Sequence, residues 1–181
     1  ATPTGEPGTI SAGDAEGCSG DMITVPIYMD TAGTDVDAFT MHLEYDDTML
    51  NYVSCVEGDL VPQDGWIMFD CNEGIIGDVI VGGFALESVP AGSTGTLAVL
   101  TFEVDCPGCS EGDVSDLTPF NFADDIDLFD AVAGEFTFTC PITPTPTETA
   151  TPTTGPTNTP TPTTVPPTNT PTPTTVPGTN T

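Results

Sequence analysis

The chain has 181 residues, with 28 aspartates and glutamates, one histidine, and neither lysine nor arginine, for a net charge of −28 at pH 7. Nucleic acids and anionic membrane surfaces are bound through Lys and Arg, so both are excluded as partners. No run approaches the roughly 18 apolar residues of a membrane span, so we expect no membrane insertion. Divalent cations and neutral carbohydrates are the ligands that this charge favours.

Alternation of apolar and polar residues, the period of a half-buried strand, dominates the sequence up to Cys140. Residues 23–29 and 39–45 have apolar odd positions, whereas Thr40, His42 and Glu44 point the other way. Turn sequences rich in Gly, Pro, Asn and Asp separate the segments. Further strands are predicted at residues 66–71, 79–86, 97–104 and 136–140. Many short strands and no helical stripe predict an all-β sandwich or jelly roll.

The six cysteines, an even number, predict an oxidised, extracellular disulfide framework. Cys55 and Cys71 lie symmetrically about the turn at residues 62–65, and they could face each other across a hairpin-like connection. Cys106 and Cys109 form a C-x-x-C sequence that we interpret as a structural clamp on a turn. The alternatives are a redox site, which needs a helix N-terminus after a strand, and a zinc site that uses two of the other cysteines.

Several short segments of this first part match one known family in the same order along the chain. They are VPIYMDTAG at residues 25–33, AFTMHLEYD at 38–46, YVS with GDL at 52–60, GGFA at 82–85 and GTLAVLTF at 95–102. Together they resemble the strands of cohesin domains over roughly residues 8–140. The six cysteines and the absence of Lys and Arg depart from the pattern of cellulosomal cohesins.

The resemblance implies a nine-stranded jelly-roll sandwich with no catalytic site. Cohesins bind dockerin modules through the sheet that contains strands three, five, six and eight. On the third strand, Thr40, His42 and Glu44 would then contact the partner. From the sequence pattern alone, the single histidine is an exposed strand residue with no nucleophile beside it, which is no sign of catalysis.

The resemblance also implies a pairing of the remaining cysteines. Cys18 would precede the second strand and Cys140 would end the last one, and both points fall at the same end of a cohesin sandwich. A bridge between them would pin both termini of the domain, and Cys106 would then pair with Cys109. On the chain-entropy model, closing a loop of about 120 residues is worth about 4–5 kcal/mol.

Two groups of acidic residues offer hard oxygen ligands at short spacing, the chemistry that calcium prefers. They are Asp124, Asp125, Asp127 and Asp130, and, around a glycine-containing loop, Asp30, Asp35 and Asp37. The first group is the predicted calcium site, although neither matches the EF-hand or dockerin loop. The alternative for both is a solvated acidic loop. No motif selects a pair of carboxylates for glycoside hydrolysis, so we expect no enzyme.

Composition changes at Cys140, which predicts a domain at residues 1–140 and a stalk at residues 141–181. The stalk has 19 Thr and 12 Pro, and its repeats favour an extended polyproline-II-like conformation. Thr beside Pro is typical of O-glycosylated stalks. The predicted glycosylation sites are Thr143, Thr145, Thr147, Thr151, Thr153, Thr154, Thr161, Thr163, Thr164, Thr172, Thr174 and Thr175.

The chain begins at Ala1, from which we expect a processed, secreted protein of the cell surface. The leading interpretation is a non-enzymatic subunit of a filament, sheath or matrix, assembled head-to-tail as a homopolymer and decorated with O-linked glycans. It requires no cofactor, with calcium as a candidate ion. The first alternative is a scaffold module that binds a dockerin-bearing partner, with the tail as a linker. The second is a carbohydrate-binding module with Tyr28, Tyr45 or Trp66 as its platform, although alternation places Tyr45 in the core.

Overall fold

The computed structural model describes residues 6–140, and residues 1–5 and 141–181 are outside the description. The predicted stalk, its polyproline II conformation and its glycosylation sites from Thr143 to Thr175 therefore lie outside the described residues, and the domain boundary stays a prediction. Residues 6–140 hold no helix that is long and apolar enough to cross a membrane. Their strands are β1 Thr9–Ala12, β2 Ala15–Gly17, β3 Met22–Asp30, β4 Val36–Glu44, β5 Leu50–Glu57, β6 Met68–Ile75, β7 Asp78–Val89, β8 Thr94–Val104, β9 Val114–Asp124, β10 Asp130–Val132 and β11 Gly134–Phe138.

Two sheets stack face to face as a jelly-roll sandwich. The five-stranded sheet has the order β10-β1-β3-β8-β5, and the six-stranded sheet has the order β2-β11-β9-β4-β7-β6. The all-β prediction is confirmed, but the strand count of nine is exceeded by two in the part of the chain that the structure describes. The three-residue strands β2 and β10 pair in parallel with β11 and β1. Segments this short carry too little alternation to be recognised in a sequence.

The core lies between the two sheets and follows the alternation of the sequence. Val25 and Ile27 of β3 in one sheet, and Met41 and Leu43 of β4 in the other, are all fully buried. Each such side chain contributes about 1.5–3 kcal/mol to folding by leaving water. Because successive residues of a strand point to opposite faces, burial of these positions turns the intervening polar residues of β4 outward.

The strand predicted over residues 66–71 begins two residues later and ends four residues later in the structure, since β6 is Met68–Ile75. Trp66 lies in the preceding loop and is buried, with its ring edge-on to Phe39 at a centroid distance of 5.0 Å. Aromatic edge-to-face contacts of this kind stabilise the core beyond their buried area. Trp66 is therefore a core residue rather than part of the sheet.

Tyr45, which follows β4, is buried as predicted and packs edge-on against Phe102 at 4.9 Å. Its hydroxyl donates a hydrogen bond to the Glu73 carboxylate. Burial, and after it this hydrogen bond, raises the pKa of Tyr45 to about 12. The phenol therefore stays protonated in the folded domain well above the pH at which a free tyrosine ionises.

A buried threonine connects two loops at one end of the sandwich. Thr31 is fully buried, and its hydroxyl donates to the Pro90 carbonyl at 2.9 Å and accepts from the Ser93 amide at 2.9 Å. The Ser93 amide also donates to the Pro90 carbonyl at 3.2 Å, and the Thr31 amide donates to the Ser93 carbonyl at 2.9 Å, so the hydroxyl completes a small network of bonds. Thr31 therefore fixes the loop after β3 against the turn between β7 and β8.

The long-range disulfide joins Cys18 to Cys140, the pair that the resemblance implied. Cys18 follows β2 and Cys140 follows β11, and these two strands lie side by side in the six-stranded sheet. Their Cα atoms are 4.7 Å apart. The bridge therefore ties the first part of the described chain to its last strand.

The other two disulfides also have the expected partners. Cys55 on β5 pairs with Cys71 on β6, so this bridge connects edge strands of the two opposing sheets. Cys106 pairs with Cys109 in the loop between β8 and β9. No helix follows that loop, so the geometry of a C-x-x-C redox site is not met there. All six cysteines are bonded to one another, which leaves no thiol for a zinc site.

Candidate protein-binding face

The outward surface of β9, β4, β7 and β6, here called the outer face, is the candidate site. On β4, Thr40, His42 and Glu44 all point outward, because Met41 and Leu43 between them are buried. The structure therefore brings the three predicted partner-binding residues together on one surface. The four strands are contiguous, with β9 and β7 flanking β4 and with β6 at the edge.

His42 is held in one orientation at the middle of the outer face. It lies opposite Phe120 on β9 and Ile80 on β7, and its ring is 5.1 Å from the Phe120 ring. Its Nδ1 atom is 2.9 Å from a carboxylate oxygen of Asp78. The His42 side chain is only 17% exposed. His42 is thus a fixed element of the face rather than the freely exposed strand residue that the sequence pattern alone predicts.

Large apolar side chains are exposed beside His42. Phe84 on β7 is 44% exposed, and Met68 lies directly opposite it on β6 with 62% exposed. With Ile80 and Phe120 these residues form the apolar strip of the outer face. Exposed apolar surface rimmed by polar residues marks sites of protein interaction.

Carboxylates surround the apolar strip. Asp70 on β6, Asp78 on β7 and Glu44 on β4 lie on the same face, and Asp124 accepts a hydrogen bond from the Thr40 hydroxyl at 2.9 Å. The chain has no Lys or Arg that would neutralise them. The outer face therefore combines an apolar strip with a negative rim, and it is electrostatically complementary to a basic partner.

The predicted calcium ligands Asp124, Asp125, Asp127 and Asp130 gain no support from the described residues, and the calcium site stays a prediction. Within residues 6–140, no group of three or more His, Cys, Asp or Glu side chains is arranged to hold a metal ion. One Asp125 oxygen accepts the backbone amides of Asp37 and Ala38 at 2.9 and 3.0 Å, and Asp124 is bonded to a hydroxyl. Two of the four carboxylates thus already serve the protein's own donors.

Asp125 and Asp37 form a carboxylate pair where β4 begins and β9 ends. Burial opposes the ionisation of Asp125, but the hydrogen bonds from Asp37 and Ala38 outweigh it and lower its pKa. The neighbouring Asp125 carboxylate, through a shared hydrogen bond and then through its charge, raises the pKa of Asp37. The second acidic group of the sequence is therefore joined to the first by backbone hydrogen bonds that anchor the two strands.

The aromatic residues proposed as a carbohydrate platform do not meet on one surface. Trp66 and Tyr45 are buried in the core. Tyr28 is 44% exposed but lies on β3 of the other sheet. Sugar stacking requires exposed aromatic rings, so these three residues provide no shared platform.

The residues that sequence reasoning missed are the apolar ones. Phe120, Phe84 and Met68 line the outer face. The sequence does not mark them as binding residues, because an exposed apolar residue on a strand looks like a core residue in a sequence. The strand β9 was also missed. Its alternation is broken near Asn121, which has a positive φ of 51°, and its register against β4 shifts there. Phe120 is identified as a neighbour of His42 by the strand register between β4 and β9, which places the two residues opposite each other.

A two-sheet jelly roll with an apolar, acid-rimmed sheet face defines a class of protein-binding module. The chain belongs to the cohesin domain family, whose model matches residues 8–108. The fold of this family is a protein–protein interaction module, in keeping with the expectation that the chain is not an enzyme. No curated protein matches the chain.

Solved cohesin structures share the fold. CaCohA2 from Clostridium acetobutylicum is 25% identical with a TM-score of 0.61, over 75% of this chain and 92% of that chain. The sixth cohesin of Acetivibrio cellulolyticus scaffoldin B, solved with a variant of the Cel5 dockerin, is 19% identical with a TM-score of 0.61, over 74% and 99%. A non-cellulosomal cohesin from Archaeoglobus fulgidus is 23% identical with a TM-score of 0.57, over 75% and 93%.

Proposed function

We propose that this protein is a cohesin-type module that binds a dockerin-like partner through its outer face, as an extracellular scaffold component. The observation that carries the proposal is the apolar strip with its negative rim on β9, β4, β7 and β6. Membership of the cohesin family supports it, as does a solved cohesin of the same fold in complex with a dockerin. The three disulfides favour an oxidising, extracellular environment.

The opposite sheet has a different surface. Apolar exposure alone does not separate the two sheets, because Tyr28 and Val56 are also exposed on the five-stranded sheet. The centre of that sheet, however, is a neutral row of Thr24, Thr101 and Ser54 across β3, β8 and β5. Exposed acids also occur on that sheet, at Asp30 on β3 and Glu103 on β8. The outer face is distinguished by carboxylates that directly border its apolar strip, and these provide orientation and partner selection in addition to apolar contact.

The comparisons favour this function over the leading interpretation of the sequence. The filament, the homopolymer and the O-linked glycans all depend on the Thr/Pro-rich tail, which lies outside the described residues. They stay predictions. The role of the tail as a linker between modules fits the scaffold function without a further assumption.

The experiment compares two full-length variants with equal exposure on opposite sheets. Phe84 and Tyr28 are each 44% exposed, so Phe84→Ala and Tyr28→Ala remove similar aromatic surfaces. The wild-type chain is used to capture partners from the secreted proteins of its source organism. A captured protein counts only if its sequence contains a dockerin module, which is then purified for calorimetry with each variant.

A central aromatic residue of an interface typically contributes 2 kcal/mol or more, so we expect Phe84→Ala to weaken binding by about 30-fold. Tyr28→Ala is expected to bind like the wild type. Equal affinities of all three proteins, or a loss confined to Tyr28→Ala, would contradict the assignment of the outer face. The absence of any captured dockerin-bearing protein would contradict the function itself.

A further inference from the structure

A gap interrupts the outer face at its centre. Gly82 on β7 is paired with Thr40 on β4 and with Asp70 on β6, so it lies in the middle of a three-strand row. A Cβ atom at Gly82 would point outward and would meet nothing closer than the Phe39 carbonyl oxygen at 3.5 Å, which is ordinary van der Waals contact. The fold therefore tolerates a side chain here, and its absence leaves a depression in the surface.

The depression, here called the Gly82 pocket, has a volume of about 490 Å³. Along β7, Ile80 precedes the glycine and Phe84 follows it, both on the outward side, and Met68 borders the pocket from β6. The wall is mainly apolar. A space of this kind accepts the aliphatic or planar part of a side chain from a binding partner.

Two carboxylates border the Gly82 pocket on opposite sides. Asp70 lies one strand away on β6, and the Asp124 carboxylate reaches over the other neighbouring strand, where it accepts the Thr40 hydroxyl at 2.9 Å. Neighbouring strands are about 4.8 Å apart, so a cationic group above Gly82 is within reach of both carboxylates. No Lys or Arg exists in this chain to occupy the position.

We propose that the Gly82 pocket receives an arginine side chain of the protein partner. A planar guanidinium stacks on an aromatic face, here that of Phe84, while its forked donors bind carboxylates on two sides. A lysine ammonium is a single point charge that cannot satisfy both carboxylates in this way. The inference rests on the proposed function, because it identifies the chemistry of the partner that the outer face selects.

The test needs no dockerin. The full-length, isotope-labelled protein is titrated with Nα-acetyl-arginine amide, and the amide signals of Gly82, Thr40 and Asp70 are followed by NMR. Nα-acetyl-citrulline amide has nearly the same shape without the charge, and Nα-acetyl-lysine amide has the charge without the plane. We expect saturable shifts of the three amides in the millimolar range with the arginine probe, at least several-fold weaker shifts with lysine, and none with citrulline.

Two variants and one control establish the site. Gly82→Val fills the pocket, and Asp70→Asn removes one carboxylate without changing the side-chain volume. Glu103→Gln removes the same charge from β8 of the opposite sheet. Both pocket variants are expected to lose most of the arginine-induced shift, while Glu103→Gln retains it. The wild-type dispersion of the remaining signals shows that each variant is folded.

Shifts spread over many surface acids, or equal loss in the control variant, would mean non-specific attraction to a negative protein and would overturn the pocket. Equal binding of the lysine or citrulline probe would overturn the assignment to arginine. Failure of this titration leaves the capture of a dockerin-bearing protein unaffected, and failure of the capture leaves the titration unaffected. The two proposals are therefore refuted separately.

Discussion

The disulfide between Cys18 and Cys140 is predicted to be the largest covalent contribution to the stability of the domain. Its removal in the double variant Cys18→Ala/Cys140→Ala frees a loop with a sequence separation of 122 residues. In the chain-entropy model, the lost constraint on the unfolded chain corresponds to about 5 kcal/mol at 25 °C. That amount is comparable to the whole free energy of unfolding of many domains.

The other two bridges supply an internal comparison. The separation is 16 residues for Cys55–Cys71 and 3 residues for Cys106–Cys109. The same model gives about 3 and about 1.6 kcal/mol for these loops. Alanine is used in all three double variants, so that each loses a similar amount of sulfur packing and the differences report the length of the loop.

Urea unfolding of the three double variants, followed by tryptophan fluorescence of Trp66, measures the series. With a urea dependence of about 1.5 kcal/mol/M, the midpoint falls by about 3 M without the long-range bridge and by about 1 M without Cys106–Cys109. Equal losses for all three variants would refute the entropic argument. A loss at Cys106–Cys109 larger than that at Cys18–Cys140 would also refute it.

Three further predictions concern single substitutions, each measured by urea unfolding. Gly83→Ala places a Cβ atom 2.4 Å from the Phe39 ring, so we expect the free energy of unfolding to fall by about 1–3 kcal/mol. The matched variant Gly82→Ala makes only ordinary contacts and is expected to be as stable as the wild type. Similar losses for the two variants would contradict the packing. Thr31→Val removes the hydroxyl that bonds the Pro90 carbonyl and the Ser93 amide and is expected to cost about 0.5–1.5 kcal/mol, with an unchanged midpoint as the opposing result. Tyr45 has a raised pKa in the folded state, so its contribution is fully present below pH 10 and is lost as the pH rises from 10 toward about 12. Tyr45→Phe is expected to flatten that decline, and a decline identical to that of the wild type would exclude Tyr45 as its source.

The outward side of β4 could be predicted from the sequence because the alternation there is regular. Met41 and Leu43 are apolar and buried, so Thr40, His42 and Glu44 had to share the other side. The same argument placed Tyr45 in the core. Where a strand is long and straight, the alternation of apolar and polar residues is sufficient to predict which side chains point outward.

The other half of the outer face depends on cross-strand register, which the local pattern does not contain. Phe120 meets His42 only because β9 pairs with β4 across a register shift near Asn121. Phe84 and Met68 meet because β6 and β7 form a hairpin with a fixed register. Each of these residues looks like a core residue in isolation, and only the pairing shows that it is exposed.

The acidic segment shows why proximity along the chain is a poor guide to a metal site. Asp124 and Asp125 are adjacent in sequence, yet one accepts the Thr40 hydroxyl and the other the Asp37 amide. Those donors come from β4, more than 80 residues away, with separations of 84 and 88. A carboxylate that already satisfies the protein's own donors is a weaker ligand for a cation than the sequence spacing suggests.

The most direct test of the binding face is amide hydrogen exchange of the full-length protein with and without the dockerin-bearing partner obtained by capture. The account predicts slower exchange on β4, β6, β7 and β9, centred on Gly82 and Phe84, and no change on β3, β5 and β8. Protection confined to β3, β5 and β8 would contradict the outer face as the binding site, and with it the central claim about how this protein works.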